Sequence, residues 1–220
     1  MPWATHRHDA ELECTAYCAC GYCCNWEYGL RLPGLPRYLA LRPLGHFPPV
    51  RLARARRSGY APRRPFQLLE RFWTATSLTG EPYLGLTATE TVPRVTRRGL
   101  FHPETWRRTA VPALVFRLLT PWSWPGQMGT VAADPNHYSF GTRMHVPGHG
   151  WCRVEDTGGN IQGVSRVDLY HARHRTALRW GRRKLRVRVV PPGTGWVDTH
   201  LPGWLRPVGH AVDAVKIALY

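Results

Sequence analysis

Hydrophobic and polar residues alternate in short runs over residues 128–190, which is the pattern of β-strands with one buried face. Turn residues such as Pro147-Gly-His-Gly150 separate the runs, and this close spacing predicts a small barrel. One short helix is predicted over His171–Trp180, because the following Gly181 suits a helix end. The predicted strands are Thr130–Ala133, Thr142–Val146, Trp151–Glu155, Arg166–Tyr170 and Leu185–Val190.

The rest of the chain has a weaker pattern. Residues 11–29 begin as an alternating strand and then become rich in cysteine, whereas residues 30–127 are rich in proline and arginine with little periodicity. Within that stretch, Leu84–Thr91 predicts a strand and a turn. The apolar run at residues 112–119 fits either a short helix or a buried strand.

The formal net charge of +16 raises the question of nucleic-acid binding. All but two of the 30 basic residues are arginines, and they occur singly or in pairs without a helix-turn-helix or RNP-type motif. The charge therefore predicts weak attraction to polyanions, the cell wall included, rather than specific nucleic-acid recognition. No apolar run is long enough to predict a transmembrane helix, and no signal peptide is visible in the first residues.

Three aspartates stand out because of their positions at or within the predicted strands and turns. Asp134 follows a predicted strand, and Asp156 enters a glycine turn. Asp168 lies between Val167 and Leu169, so its side chain is expected on the opposite face from both. If that face is partly desolvated, the pKa of the carboxyl rises and it becomes an acid able to protonate a glycosidic oxygen. A solvent-facing aspartate on a half-buried strand is the alternative.

The cysteines leave several interpretations open. Five of the six lie between Cys14 and Cys24, and Cys152 stands alone. The spacing of Cys18, Cys20, Cys23 and Cys24 approaches that of a zinc knuckle, but it lacks a second separated pair or a histidine at ligand spacing. Disulfides and buried thiols are the alternatives. We expect the cluster to be structural, with at least one pair close enough for a disulfide, and we predict no metal site.

An ordered series of motifs runs through residues 129–190 and gives the sequence its strongest resemblance. It resembles the three-aspartate (3D) domain, and is similar to the catalytic barrel of lytic transglycosylase A-type enzymes and stationary-phase cell-wall hydrolases. Thr15–Cys24 and Leu86–Thr89 are similar to the opening strand and the middle strand of that family. The motifs are Gly129-Thr-Val-Ala-Ala-Asp-Pro135, Phe140-Gly-Thr-Arg-Met-His-Val-Pro-Gly-His-Gly-Trp151, Val154-Glu-Asp-Thr-Gly-Gly-Asn-Ile-Gln-Gly163, Arg166-Val-Asp-Leu-Tyr170 and Ala177-Leu-Arg-Trp-Gly-Arg182.

The resemblance implies an all-β fold with small helical content, a double-psi β-barrel with long Arg/Pro-rich insertions. The domain would span residues 11–190, with core motifs at 11–26, 84–90 and 128–190. Residues 27–83 and 91–127 would be insertions, and 191–220 a C-terminal extension. An exported protein of the periplasm, outer membrane or cell envelope is expected from the family.

The resemblance also implies a lytic transglycosylase that acts as a monomer on peptidoglycan glycan strands without any cofactor or metal. It would cleave the β-1,4 bond between N-acetylmuramic acid and N-acetylglucosamine and form a 1,6-anhydro product. A non-catalytic cell-wall-binding module on the same barrel is the alternative. Asp168 would be the single acid/base and Asp156 its catalytic partner. The expected supporting residues are Asp134, Thr157, Gly158, Gly159, Arg166 and Tyr170.

Overall fold

The structure is a computed structural model that describes residues 7–31, 37–41, 50–55, 69–74, 78–124 and 126–193. The described residues form two compact units. One takes its residues from Met1–Tyr17 and Thr87–Tyr220, and the other from Cys18–Leu86. Most of the expected C-terminal extension, from residue 194 onward, lies outside the described residues.

The described elements are mostly short strands, with a few short helices between them. The helices are α1 (Gly21–Cys24), α2 (Pro103–Arg108), α3 (Val111–Leu119) and α4 (His174–Trp180), with a 3₁₀ turn at Pro121–Ser123. None of the described helices has the length and apolar character that crossing a membrane requires. The strands are β1 (His8–Tyr17), β2 (Trp26–Arg31), β3 (Arg37–Leu41), β4 (Val50–Arg54), β5 (Leu69–Trp73), β6 (Gly129–Ala132), β7 (Arg143–Val146), β8 (Gly150–Asp156), β9 (Arg166–Tyr170) and β10 (Arg183–Val190).

Six strands close a barrel in the order β1-β10-β7-β8-β6-β9. The pairs β1–β9 and β6–β8 are parallel, and the other neighbours are antiparallel. The inward residues of every strand form one core, which includes Val131, Met144, Val154 and Leu169. The predicted all-β barrel is therefore confirmed, and each strand predicted in residues 128–190 is present within two residues of its expected ends.

Helix α4 packs against the barrel and ends at the predicted glycine. Trp180 is buried in the barrel core, and its indole N–H donates to the carbonyl of Cys14 at 3.2 Å. Gly181 follows with φ +67°, a conformation that an L side chain rarely adopts. The helix begins at His174, three residues later than predicted.

The prediction of a middle strand at Leu86–Thr89 is wrong. Residues 83–87 have no regular structure, and residues 88–90 form a turn. The hydroxyls of Thr87, Thr89 and Thr91 bond one another across this turn. Local bonding of this kind competes with pairing in a sheet, which explains why the β-type composition did not yield a strand.

The Arg/Pro-rich stretches contain regular structure that periodicity did not reveal. Residues 112–119, which fit two interpretations, belong to α3. In the second unit, β4-β3-β2-β5 form an antiparallel sheet over a small core of Tyr38, Ala40 and Phe72. The rings of Tyr38 and Phe72 stack at 3.9 Å, and a Cβ at Gly29 would lie 2.4 Å from one ring and 2.6 Å from the other. Glycine is therefore required at that position.

Candidate functional site

Strand β6 brings two of the three aspartates onto one face of the barrel. Its residue Ala132 pairs with Asp156 of β8 on one side and with Asp168 of β9 on the other. Paired residues of neighbouring strands point to the same side of a sheet. We call this surface, which includes Asp156, Asp168 and their neighbours Thr15, Tyr17 and Tyr170, the aspartate face.

A β-bulge places Asp156 on the aspartate face. Val154 pairs with Val131, and both side chains are fully buried in the core. In regular alternation Asp156, two residues after Val154, would also point into the core. The register shifts between Val131 and Ala132, so that Ala132 pairs with Asp156 instead. Bulges re-aim side chains in this way, often beside active sites.

Asp168 is a half-buried carboxyl in the middle of β9. Val167 and Leu169 on either side are fully buried, so the predicted placement of Asp168 on the opposite face is confirmed. Thr15 of β1 lies opposite Asp168, and its hydroxyl donates to the carboxyl at 2.8 Å.

Burial raises the pKa of Asp168 to about 6, and the charge of Asp156 adds to the rise. The hydrogen bond from Thr15 and the charge of Arg166 act in the opposite direction. The rise that was expected from partial desolvation is therefore present, and the charge of Asp156 makes a smaller contribution to it. An Asp168 with this pKa holds its proton in an appreciable fraction of molecules near neutral pH.

Asp156 is held as a hydrogen-bond acceptor by three donors. The phenol of Tyr17 donates to Oδ2 at 2.7 Å. The backbone N–H groups of Ala88 and Thr157 donate to Oδ1 at 3.1 and 2.9 Å. This arrangement suits an ionised carboxylate, because every contact offers it a proton donor. The two carboxyls of the aspartate face therefore have different surroundings.

Asp134 connects two loops through its carboxyl group. Its Oδ1 accepts hydrogen bonds from the backbone and side-chain amides of Asn136, at 2.9 and 3.0 Å. Its Oδ2 accepts from the backbone N–H of Gly163 at 2.8 Å. These bonds, led by that from Gly163, lower the pKa of Asp134. They tie the loop after β6 to the loop before β9.

Comparison with known proteins identifies this part of the chain. Residues 129–191 match the family model described as the 3D domain. These residues are a 3D domain. The match covers β6 to β10 and α4 but does not include β1, the strand that completes the barrel and supplies Thr15 and Tyr17 to the aspartate face.

Two proteins of Bacillus subtilis (strain 168) are similar to the chain over 60 residues each. YabE, which is named for cell wall shaping, is 32% identical over 27% of this chain and 14% of its own length. YocH, named as a cell wall-binding protein, is 33% identical over 27% of this chain and 21% of its own length. The chain therefore aligns with a small part of each relative.

Two further residues of the expected site are Tyr170, which belongs to the aspartate face, and Arg166, which lies two residues before Asp168 on β9. Tyr170 packs edge-on against Tyr17 with ring centroids 5.5 Å apart. Arg166 points to Glu13, with an N–O distance of 2.8 Å, and to the carbonyl of Asn160 at 3.3 Å. Its guanidinium is therefore engaged at the edge of β1 and acts on Asp168 only through its charge.

The turn after Asp156 is exposed and closely connected to that carboxylate. Thr157 and Gly159 are exposed, and Thr157 contributes the N–H that binds Asp156. The carbonyl of Gly158 accepts from the N–H of Ile161 at 2.9 Å, which closes the turn. A Cβ added at Gly159 would meet nothing within 4 Å. There is thus open space beside this turn, next to the aspartate face.

Sequence reasoning missed Thr15, Tyr17 and the N–H of Ala88. Thr15 and Tyr17 alternate with the buried Leu12 and Cys14 on β1, so their outward direction could be read from the sequence. Their partners could not, because β1 pairs with β9 across about 150 residues of chain. The N–H of Ala88 carries no sequence signal, since every residue but proline has one.

Two cysteines lie in the barrel core. Cys14 and Cys152 are fully buried. Burial raises the pKa of Cys14 to about 11 and raises that of Cys152 further. Thiols in this state are poor nucleophiles, because the thiolate is the reactive form. The structure therefore gives no support to cysteine chemistry in the barrel.

Proposed function

We propose that this chain cleaves peptidoglycan glycan strands as a lytic transglycosylase, with Asp168 as its single acid/base. The observation that carries the proposal is the half-buried Asp168 carboxyl, whose pKa is raised to about 6. A general acid is most effective when its pKa lies near the working pH. Asp168 therefore meets the first chemical requirement of glycosidic bond cleavage.

The proposed reaction uses one carboxyl twice. Protonated Asp168 donates its proton to the glycosidic oxygen, and the bond from that oxygen to the anomeric carbon of N-acetylmuramic acid breaks. The resulting carboxylate takes the proton of the C6 hydroxyl of the same sugar. The C6 oxygen then bonds to the anomeric carbon and closes the 1,6-anhydro ring. Asp168 regains its proton, so neither water nor a cofactor is consumed.

Asp156 has a different task in this proposal. Tyr17, Ala88 and Thr157 all donate hydrogen bonds to its carboxyl oxygens. Its negative charge stabilises the positive charge that develops at the anomeric carbon. The same charge helps to keep the proton on Asp168. Asp134 acts indirectly, by holding the loops at the end of β6.

The relatives support the choice of substrate. YabE and YocH are named for cell wall shaping and cell wall binding. Each of the two relatives aligns with 27% of this chain, and the family model of the 3D domain matches residues 129–191. We therefore include in the proposal a role at the cell wall and a location in the cell envelope. The net charge of +16 favours attraction to the anionic groups of that polymer.

Purified sacculi provide the direct test. The full chain is incubated with them, and released muropeptides are analysed by mass spectrometry. We expect 1,6-anhydro products from the wild-type protein and none from Asp168→Asn, with unchanged co-sedimentation of both proteins with sacculi. Hydrolysed products with a reducing end would contradict the transglycosylase proposal. Binding without any release by the wild-type protein would favour the cell-wall-binding module.

A further inference from the structure

Three cysteine sulfurs meet in the turn that follows β1, within the second unit. The Sγ atoms of Cys18, Cys20 and Cys23 all lie within 4.8 Å of one another. Those of Cys18 and Cys23 are 3.8 Å apart. A tetrahedral zinc ion with Zn–S bonds of about 2.3 Å holds two sulfurs about 3.8 Å apart. The spacing of these two thiols therefore already matches that of two ligands on one ion.

The backbone of this turn fixes where the three side chains start. Cys20 is extended at the start of α1, and its carbonyl accepts the N–H of Cys24 at 2.9 Å. Asn25 ends the helix in the left-handed conformation. The indole N–H of Trp26 then donates to the carbonyl of Ala19 at 3.1 Å. The turn is thus closed by local bonds before any ion binds, which lowers the entropic cost of binding one.

Gly21 permits this closure. A Cβ at that position would lie 2.5 Å from the carbonyl oxygen of Trp26, closer than real contacts allow. Cys18 is buried, whereas Cys20 and Cys23 are partly exposed. The cluster therefore has a buried side at Cys18 and a partly exposed side, at Cys20 and Cys23, that an ion can enter.

We infer that Cys18, Cys20 and Cys23 bind a zinc ion that stabilises this turn. Thiolates are soft ligands that favour zinc among the common divalent metals. Three thiolates fill three of its four tetrahedral positions and leave the fourth to water or another donor. Each thiol must lose its proton on binding, so the affinity should rise with pH. This role is structural and separate from the metal-free chemistry proposed at Asp168.

Cobalt and zinc binding test the inference on the full chain, purified reduced and without a histidine tag. We expect one zinc per chain by elemental mass spectrometry. Cobalt should give a sulfur-to-cobalt charge-transfer band that zinc removes. Cys18→Ser, Cys20→Ser and Cys23→Ser should each weaken cobalt binding by about a hundredfold or more. Cys24→Ser is the matched control, because the Cys24 thiol points to the carbonyl of Cys18 at 3.2 Å and lies outside the cluster.

Thiol accessibility gives a second measurement that needs no variant. On the wild-type protein, zinc should protect the three thiols from alkylation, and a chelator should expose them. The inference is overturned if no charge-transfer band forms, or if the triple serine variant binds the metal as tightly as the wild type. A disulfide between Cys18 and Cys23 in protein isolated from its native compartment would also overturn it.

Discussion

Replacing Asp168 by asparagine should stabilise the folded protein at neutral pH while it abolishes the proposed activity. The wild-type protein holds this carboxyl half-buried, and burial raises its pKa from 3.8 to about 6. Asparagine has nearly the same shape but no charge to desolvate. Its side-chain oxygen still accepts the hydrogen bond that Thr15 donates to Oδ1 at 2.8 Å.

The size of the effect follows from the pKa shift. Between about pH 4 and pH 6 the folded protein binds more protons at Asp168 than the unfolded chain does. The stability that this site contributes is thus present below pH 3.8 and is lost as the pH rises through about 6. A shift of about two pKa units corresponds to about 3 kcal/mol. Asp168→Asn should recover up to that amount at pH 7.5 and almost nothing at pH 4.

Urea unfolding at several pH values between 4 and 7.5 measures the difference. Hydrogen exchange at β9 should accompany it, so that opening of the barrel is followed separately from the second unit. Asp156→Asn is the control. The carboxyl of Asp156 accepts hydrogen bonds from three donors, and asparagine would place an NH₂ group where one of the accepting oxygens lies. Asp156→Asn should therefore destabilise the protein. The reasoning is refuted if Asp168→Asn is no more stable than wild type at pH 7.5, or if its advantage is the same at pH 4.

Three further substitutions test neighbouring features. Thr15→Val removes the hydroxyl that holds down the pKa of Asp168, so the alkaline limit of muropeptide release should move up by about one pH unit in a pH–rate profile. Asp134→Asn places an amide against the N–H of Gly163, and it should lower the Tm of the barrel and slow release without abolishing it. Burial lowers the pKa of His149 to about 4, so the folded state binds fewer protons than the unfolded chain and loses stability as the pH falls from 6.5 to 4. His149→Phe should show a smaller loss over that range in thermal unfolding; an equal loss would contradict this assignment.

The strands of residues 128–190 could be predicted because their pattern is local. Alternation with a period of two placed Val167 and Leu169 inside the barrel and Asp168 on the other face. The strand predicted within Leu84–Thr91 is absent: the composition suits a strand, but the threonine hydroxyls bond one another in a turn. In residues 27–83 the sheet is interrupted by long Arg/Pro-rich segments, and no periodicity marks it.

The sequence by itself determined the barrel strands, the helix stop at Gly181 and the outward direction of the Asp168 side chain. Each of these depends on neighbours only a few residues apart. The tertiary structure alone decided which side chains surround the Asp168 carboxyl. Thr15 reaches Asp168 through a parallel pairing between distant strands, and Asp156 reaches the same face through a bulge that shifts the register by one residue. Desolvation depends on all the groups packed around a side chain, so the raised pKa of Asp168 follows from the folded barrel and not from the local sequence.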